Sequence, residues 1–288
     1  MRRFTDAWIE AVGLKRFSGP WSSPRGPKLP ILPWITVPLH PLIREFFETC
    51  GREVCFAPGE KFFPTTQVTH FVTVTSGLTG RGVAVLRDRS GAGAIALSTP
   101  GRFAAGNLNW VTRRPAIGRY CTLSQCTVRM IPHVEAEERI LARDDANEFL
   151  RVLYTQIELI NLSDRMGFSV LALLSAPQRL QALFLAWAVF YGSIREEGGR
   201  HLVRMPSPGR RSHIEDVLSV SSVTMDKLSS HLHAEAAFER DGEFVVFDAA
   251  WLQEAHDWMR ACDGDGVIYP RPKSVIDFLY GAEAGEYV

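Results

Sequence analysis

The sequence predicts an α+β chain in which a roll of short antiparallel strands precedes one long helix and a final domain of short helices with a β-hairpin. Three observations predict this order. Short apolar runs broken by glycine fill residues 53–131, and a helical pattern free of Gly and Pro lies between Asp144 and Gly167. Residues 208–247 then combine two amphipathic segments with a hairpin signal. These patterns predict a roll over 43–142, a long helix and hinge over 143–174, and a final domain over 175–262.

The predicted strands of the roll are short and closely spaced. The apolar runs are VCFA (54–57), HFVTVTSG (70–77), GVAVLR (82–87), GAIALST (93–99) and CTVRMI (126–131). Turn signals such as Pro58-Gly59, Ser90-Gly91 and Pro100-Gly101 fall between these runs. Many short strands at this spacing are typical of an antiparallel roll or barrel.

The long helix carries an apolar stripe with a period close to 3.5 residues, formed by Leu150, Leu153, Tyr154, Ile157 and Ile160. A roll with its own core leaves such a stripe available, so we expect the helices of two copies to pair in a homodimer. The alternative is a helix that packs only within its own subunit. Downstream, Ser175-Ala176-Pro177 predicts a hinge followed by the first turn of a new helix.

The final domain begins with two helical segments. Ile214, Val217 and Leu218 share one face of the first, and Ser221 stands at an N-cap position. The second segment repeats apolar residues at Met225, Leu228 and Leu232. Asp241-Gly242 is a two-residue hairpin signal, so a wing is expected next. Helix, turn, helix and wing in this order predict a winged helix-turn-helix that reads DNA.

The charge pattern bears on this expectation. The formal net charge of the chain is zero, and residues 193–247 hold seven Lys/Arg against nine Asp/Glu. Residues 1–30 are basic, with six Lys/Arg against two Asp/Glu, and seven prolines lie within 19–42. We therefore predict that residues 1–42 form a basic, extended arm outside the folded core. This arm either adds phosphate contacts or packs on the body, while residues 263–288 form a tail.

Other classes of protein lack support in the sequence. There is no run of about 18 apolar residues and no secretory signal core, so we expect a cytoplasmic protein without membrane contact. No catalytic motif is present, and we predict neither enzymatic activity nor a metal or cofactor. The chain has five cysteines, an odd number, and none of them shows C-x-x-C spacing. We therefore expect free thiols, and the alternative is that the thiols sense a redox signal.

The order of elements, together with particular residues, resembles the cyclic-AMP receptor protein/fumarate–nitrate regulator family of bacterial transcription factors. The resemblance covers about residues 50–247, and its anchors are Pro58-Gly59-Glu60, Ser76-Gly77, Gly101-Arg102-Phe103 and the stretch RSHIEDVLSVSSVTMDKLSSHL. It implies a cyclic-nucleotide-binding-like roll, a dimerisation helix and a winged helix-turn-helix domain. It also implies double-stranded DNA as a partner, with RNA polymerase as a further one.

The family's effector pocket is degenerate in this chain. Where the family has a Gly-Glu-Leu turn, the chain has Gly106-Asn107-Leu108, and the downstream Arg-Ser pair falls on Ile117-Gly118. A carboxylate that accepts from the ribose and an arginine that offsets the phosphate are thus missing. Arg119 lies close by, as do Arg113 and Arg114. We expect that cyclic AMP does not activate the protein.

The resemblance also places the DNA contacts. The family's base-reading positions carry Ser222, Val223 and Lys227 here, whereas Ser221 and Thr224 keep hydroxyls suited to phosphates, and Arg211 is a further basic contact. The expected function is a sequence-specific DNA-binding transcription regulator. Two alternatives remain: a protein-interaction regulator that kept the fold but lost DNA binding, and a regulator that senses another small molecule or a redox signal in the roll.

Overall fold

The computed structural model describes residues 32–83, 94–116 and 118–263. The predictions for residues 1–31, Ile117 and 264–288 lie outside these ranges. The chain divides into two compact units, one spanning Trp34–Phe168 and the other composed mainly of the residues from Ser169 onward. Each unit has its own core.

The first unit contains the roll. Its elements are α1 (Pro41–Cys50), β1 (Arg52–Phe56), β2 (His70–Ser76), β3 (Thr79–Val83), β4 (Ala94–Ser98), β5 (Phe103–Ala105), β6 (Gly118–Thr122), β7 (Cys126–Pro132), α2 (His133–Leu141) and most of α3 (Ala146–Leu173). One sheet has the order β1-β7-β2-β5 and the other β4-β3-β6, and the paired strands are antiparallel. The predicted antiparallel sheets are therefore confirmed, although β5 and β6 were not anticipated.

The sheets enclose an apolar core that leaves little free space inside the roll. Aromatic side chains contribute much of it: Phe62 packs edge-on against Phe56 and Phe63, and Phe63 against Tyr120. Val72, Val74 and Val128 fill the sheet face between them. The roll therefore folds around its own side chains, and β2 is buried on both faces at four consecutive residues, Phe71 to Val74.

Residues 34–40, here called the strap, correct the prediction for the arm. The segment is extended as expected, but it belongs to the folded core, because Trp34, Ile35 and Leu39 are each at most 2% exposed. Its single proline, Pro38, disfavours a helix but does not prevent burial, because backbone groups of Trp34, Thr36 and Leu39 bond to the roll. The predicted arm thus ends, within the described residues, before Trp34.

The long helix α3 runs from Ala146 to Leu173, close to the predicted span. The predicted dimerisation stripe is partly covered within a single chain, however. Leu153 and Ile160 are 2% and 1% exposed within a single chain, whereas Tyr154 is 50% exposed. Leu150 and Ile157 are partly buried. Two of the five predicted contacts are therefore covered by the chain's own residues.

The second unit is a helical core joined to a small sheet. It contains α4 (Ala176–Tyr191), β8 (Ser193–Glu197), β9 (Arg200–Pro206), α5 (Arg211–Leu218), α6 (Ser222–Ala236), β10 (Glu239–Asp241), β11 (Phe244–Asp248), a 3-10 turn (Ala249–Leu252) and α7 (Gln253–Asp263). The sheet order is β10-β11-β9-β8. The sequence analysis did not anticipate the hairpin between β8 and β9, in which Gly198 and Gly199 adopt positive φ and close the turn.

The wing forms where it is predicted, with a shift of one residue. Asp241 pairs with Phe244, so the turn consists of Gly242 and Glu243 rather than Asp241 and Gly242. Gly242 has φ +63°, a left-handed conformation that glycine adopts without strain. The turn position therefore follows the glycine.

Candidate nucleic-acid interface

The turn between α5 and α6 is built by local hydrogen bonds. Ser219 adopts a left-handed conformation with φ +53°, and its N–H donates to Asp216, while the Val220 N–H donates to the Glu215 carbonyl at 3.0 Å. Ile214, Val217 and Leu218 on α5 are buried, as are Met225, Leu228 and Leu232 on α6. The two amphipathic faces thus turn inward and leave the opposite face of α6 in solvent.

The first turn of α6 presents a small polar and apolar surface. The Ser221 hydroxyl accepts from the Thr224 N–H at 3.2 Å, so the predicted N-cap is present. The two hydroxyls lie 3.0 Å apart, and Ser222 is exposed. Val223 is 64% exposed, which is unusual for a large apolar side chain on a helix. Free backbone N–H groups at a helix N-terminus favour an anion such as phosphate.

Arg211 does not extend freely from this surface. Its guanidinium forms ion pairs with Glu215 at 2.8 Å and Asp226 at 2.7 Å, and it donates to the Ser222 carbonyl at 2.8 Å. The hydrogen bonds that Arg211 donates to Glu215 and Asp226 raise its pKa. Arg211 therefore ties α5 to the start of α6 rather than projecting toward a phosphate. Together with the exposed Lys227, these groups carry two positive and two negative charges.

The wing contributes two arginines that the sequence analysis did not single out. Arg204 on β9 stacks on the Phe244 ring, 3.5 Å from its centroid, and pairs with Asp241 at 3.0 Å. Arg240 lies on the exposed strand β10. The alternation of charged and apolar residues in β9 is the signal that could have identified Arg204.

The effector-like turn is folded, but its polar groups differ from those of a phosphate cradle. Gly106 has φ +92°, and a Cβ there would overlap the carbonyl oxygen of His70. Asn107 is 5% exposed, and its Nδ2 has no hydrogen-bond partner in the described structure. Leu108 is partly buried beside it. The turn thus keeps the family's tight backbone without an available carboxylate.

The second half of the predicted pocket has a structural constraint of its own. Gly118 begins β6, and a Cβ at this position would overlap the carbonyl oxygen of Gly82 on β3. Serine, the family's residue, would not fit between these strands. Arg119 is exposed and lines a recess of about 100 Å³ with Lys61, Thr66 and Tyr120. This recess includes Gly118 but none of residues 106–108, so the structure does not bring the two halves into one cavity.

A second recess of about 220 Å³ lies at the start of α3 and is lined by Trp110, Val111, Leu141 and Tyr154, among others. Arg113, a possible replacement for the missing arginine, pairs here with Glu137 at 2.5 Å. Both recesses are smaller than the roughly 300–1,000 Å³ typical of small-molecule sites. Neither of these two recesses is therefore large enough to enclose a cyclic nucleotide.

Other chemistry finds no geometric support in the described residues. They contain no group of three His, Cys, Asp or Glu side chains placed to hold a metal ion. Cys50, Cys55, Cys121 and Cys126 are free thiols, and burial raises the pKa of Cys126. No helix in the described ranges combines the length and apolar character needed to cross a membrane.

An antiparallel β-roll, a long helix and a unit of short helices with a small antiparallel sheet together define the class of this fold. No family model and no curated protein matches the chain. Among solved structures, the chain is similar to the global regulator CLP of Xanthomonas campestris, described as c-di-GMP responsive, with 16% identity, a TM-score of 0.54 and coverage of 71% of this chain and 97% of CLP.

Two further structures show the same likeness. FixK2 of Bradyrhizobium japonicum matches with 16% identity and a TM-score of 0.54, covering 72% of this chain and 96% of FixK2. A CRP/FNR-family transcriptional regulator of Thermus thermophilus matches with 17% identity and a TM-score of 0.52, covering 72% of this chain and 98% of the other. The resemblance to the CRP/FNR family is thus confirmed at the level of the fold.

Proposed function

We propose that this protein is a sequence-specific transcription regulator that binds double-stranded DNA as a homodimer, without cyclic AMP. The observation that carries the proposal is the first turn of α6, where Ser222 and Val223 are exposed beside the capped hydroxyls of Ser221 and Thr224. Such a helix end suits the major groove, with the hydroxyls on phosphates and the Val223 methyls on a thymine methyl. Lys227, one turn later, adds the charge.

The homodimer part of the proposal rests on α3. Two paired helices would place two recognition helices about one DNA turn apart, roughly 34 Å. Tyr154 is exposed for this contact, and Leu150 and Ile157 are partly accessible. Leu153 and Ile160 are covered in the chain described here, so full use of the stripe requires a rearrangement. We further propose RNA polymerase as a second partner, and the cytoplasm as the location of the protein.

Independence from cyclic AMP is supported by three features of the roll. Asn107 replaces the carboxylate, Gly118 admits no side chain, and the recess beside Arg119 holds only about 100 Å³. A phosphate bound there would lack a paired arginine at the position of Ile117, which lies outside the described residues.

The test is capture of genomic DNA fragments by the purified protein at two salt concentrations, with and without cyclic nucleotides. We expect enrichment of a two-fold symmetric site in the absence of nucleotide. Enrichment only with nucleotide would show that the interpretation of Asn107 and Gly118 is wrong. A Lys227→Glu/Thr224→Ala variant is the matched control, and it should lose the enrichment because it removes a charge and a hydroxyl from α6.

One observation favours a second candidate function. The exposed end of the helix-turn-helix is electrically neutral, because Arg211 is paired with Glu215 and Asp226. Phosphate contacts normally need a basic surface. A domain that kept the fold and now binds protein partners would have such a surface. Absence of DNA enrichment at both salt concentrations would favour this candidate.

A further inference from the structure

The strap is bonded to the roll along its length. The Trp34 carbonyl accepts from the Leu97 N–H at 2.5 Å, and the Thr36 N–H donates back to the Leu97 carbonyl at 3.4 Å. The guanidinium of Arg102, which is fully buried, donates to the Thr36 carbonyl at 2.5 Å. The strap therefore extends the edge formed by β4 as an extra extended segment, with its backbone polar groups satisfied.

The other side of the strap is bonded to α3. The buried amide of Gln156 accepts from the His40 N–H at 3.0 Å and donates to the Pro38 carbonyl at 2.9 Å. About two helical turns further along α3, the Ser163 hydroxyl donates to the Ile35 carbonyl at 3.0 Å. Side-chain amides and hydroxyls of a helix thus serve the free carbonyls of an extended chain.

Trp34 anchors the start of the strap against a glycine of the same helix. It is fully buried with φ +63°, and a Cβ at Gly167 would lie 2.9 Å from its Cδ1 atom. The ring therefore occupies the space that any larger residue at 167 would need. The strap runs antiparallel to α3, because Ile35 contacts Ser163 while Pro38 and His40 contact Gln156.

The helix residues that contact the strap, Gln156, Ser163 and Gly167, lie on a heptad stripe. Leu153, Gln156, Ile160, Ser163 and Gly167 repeat at spacings of three and four residues, and all of them are buried. This stripe contains Leu153 and Ile160, two residues expected to contact a second copy. The strap therefore lies on the stripe to which these two of the five predicted dimer contacts belong.

We propose that the strap is an intrachain competitor of homodimerisation, which covers the heptad face of α3 until it is displaced. This inference rests on the proposed function for the identity of the partner, a second copy of this chain. A tethered competitor acts at a high effective concentration. The observed dimer affinity is therefore the intrinsic affinity reduced in proportion to the fraction of chains in which the strap is released. The chain with its strap in place is then the form with unpaired recognition helices.

The experiment compares full-length wild-type protein with Trp34→Ala by sedimentation velocity over a concentration series, together with hydrogen exchange at the Leu97 and Leu39 amides. Trp34→Ala should speed exchange at both amides and tighten dimerisation by about tenfold or more. Ser163→Ala, which removes a single strap bond and changes no core volume, should shift both readouts in the same direction by a smaller amount.

Two controls separate release of the strap from general loosening. Phe63→Ala removes a buried ring whose contacts lie within the roll, and it should leave the monomer–dimer equilibrium of the chain unchanged. A synthetic peptide with the sequence of residues 32–40, LPWITVPLH, should return Trp34→Ala to the monomer because it refills the face.

Each outcome of these measurements either supports or overturns the proposal. A wild-type dimer with protected Leu97 and Leu39 amides would overturn it, and so would Trp34→Ala that stays as monomeric as wild type. Tighter dimerisation that the peptide reverses would support it. Because these measurements contain no DNA, failure of the competitor leaves the DNA-capture result untouched, and failure of DNA capture leaves the monomer–dimer result interpretable.

Discussion

Removal of one carboxylate from the helix-turn-helix should strengthen DNA binding. Asp226 is 68% exposed and pairs with Arg211 at 2.7 Å, so it neutralises a guanidinium at the proposed interface. Asp226→Asn keeps the shape of the side chain and changes the charge of the four-group cluster from zero to +1. An ion pair this exposed contributes little to folding, so the variant should fold as wild type does.

The size of the effect follows from counterion release. One additional phosphate contact steepens the dependence of log K on log salt by about 0.9. At about 0.1 M salt, this slope corresponds to roughly eightfold tighter binding for one released counterion. Glu215 still holds Arg211 at 2.8 Å in the single variant, so Glu215→Gln/Asp226→Asn should exceed this gain.

The assay is a salt titration of binding to the fragment recovered by genomic capture, and to a scrambled fragment of equal length. Both fragments should gain affinity, because phosphates carry no sequence information. Glu197→Gln is the matched control, since Glu197 is a similarly exposed carboxylate paired with Arg195 at 3.0 Å on a different hairpin. If Asp226→Asn changes neither the affinity nor the salt slope while Lys227→Glu abolishes binding, then Arg211 does not face DNA and the reasoning fails.

Three further predictions concern folding. Ser221→Ala should lower the free energy of unfolding by about 1 kcal/mol, measured by urea denaturation, because the Thr224 N–H loses its cap. Gly106→Ala should cost roughly 3 kcal/mol or more, whereas Gly59→Ala, equally left-handed but in open space, should cost about 1 kcal/mol; equal losses would contradict the steric argument. Burial lowers the pKa of His40 and of His133 to about 4, so both stay neutral in the fold while the unfolded chain takes up protons below about pH 6.5. Stability should therefore fall as the pH drops from about 6.5 to 4, by about 3 kcal/mol for each histidine, and His133→Gln should flatten this slope.

The sequence predicted most of the fold because burial follows periodicity. The long strands β2 and β7 and the helix α6 have clear repeats, and Ser221 is the cap that its position indicates. Strand β5 was missed because Phe103–Ala105 is only three residues long and lies next to Gly101 and Gly106. The hairpin of β8 and β9 was missed because Gly198-Gly199, flanked by charges, also fits a flexible loop.

The candidate site was less predictable, since its chemistry depends on partners distant in sequence. Arg211 is a plausible phosphate contact by position, but Asp226 lies 15 residues away, and nothing local indicates that the two side chains meet. Likewise, Asn107 in place of a carboxylate was visible in the sequence, whereas the steric constraint at Gly118 emerged only when Gly82 on β3 was placed beside it. Sequence spacing identifies positions, and three-dimensional neighbours decide their charge and space.

The strap is a further case in which the sequence pattern did not identify the neighbour of a predicted face. A period of 3.5 residues in α3 defines a buried face, yet it does not identify what buries that face. The signal was in the polar members of the stripe: Gln156 and Ser163 are poor contacts for an apolar helix pair, because a buried amide or hydroxyl must find a partner. An extended, proline-containing segment supplies such partners, since its carbonyls accept hydrogen bonds without requiring donors at every residue. The polar composition of this face therefore favours the strap as its occupant, and a second helix gains the face only where those bonds to Gln156 and Ser163 are given up.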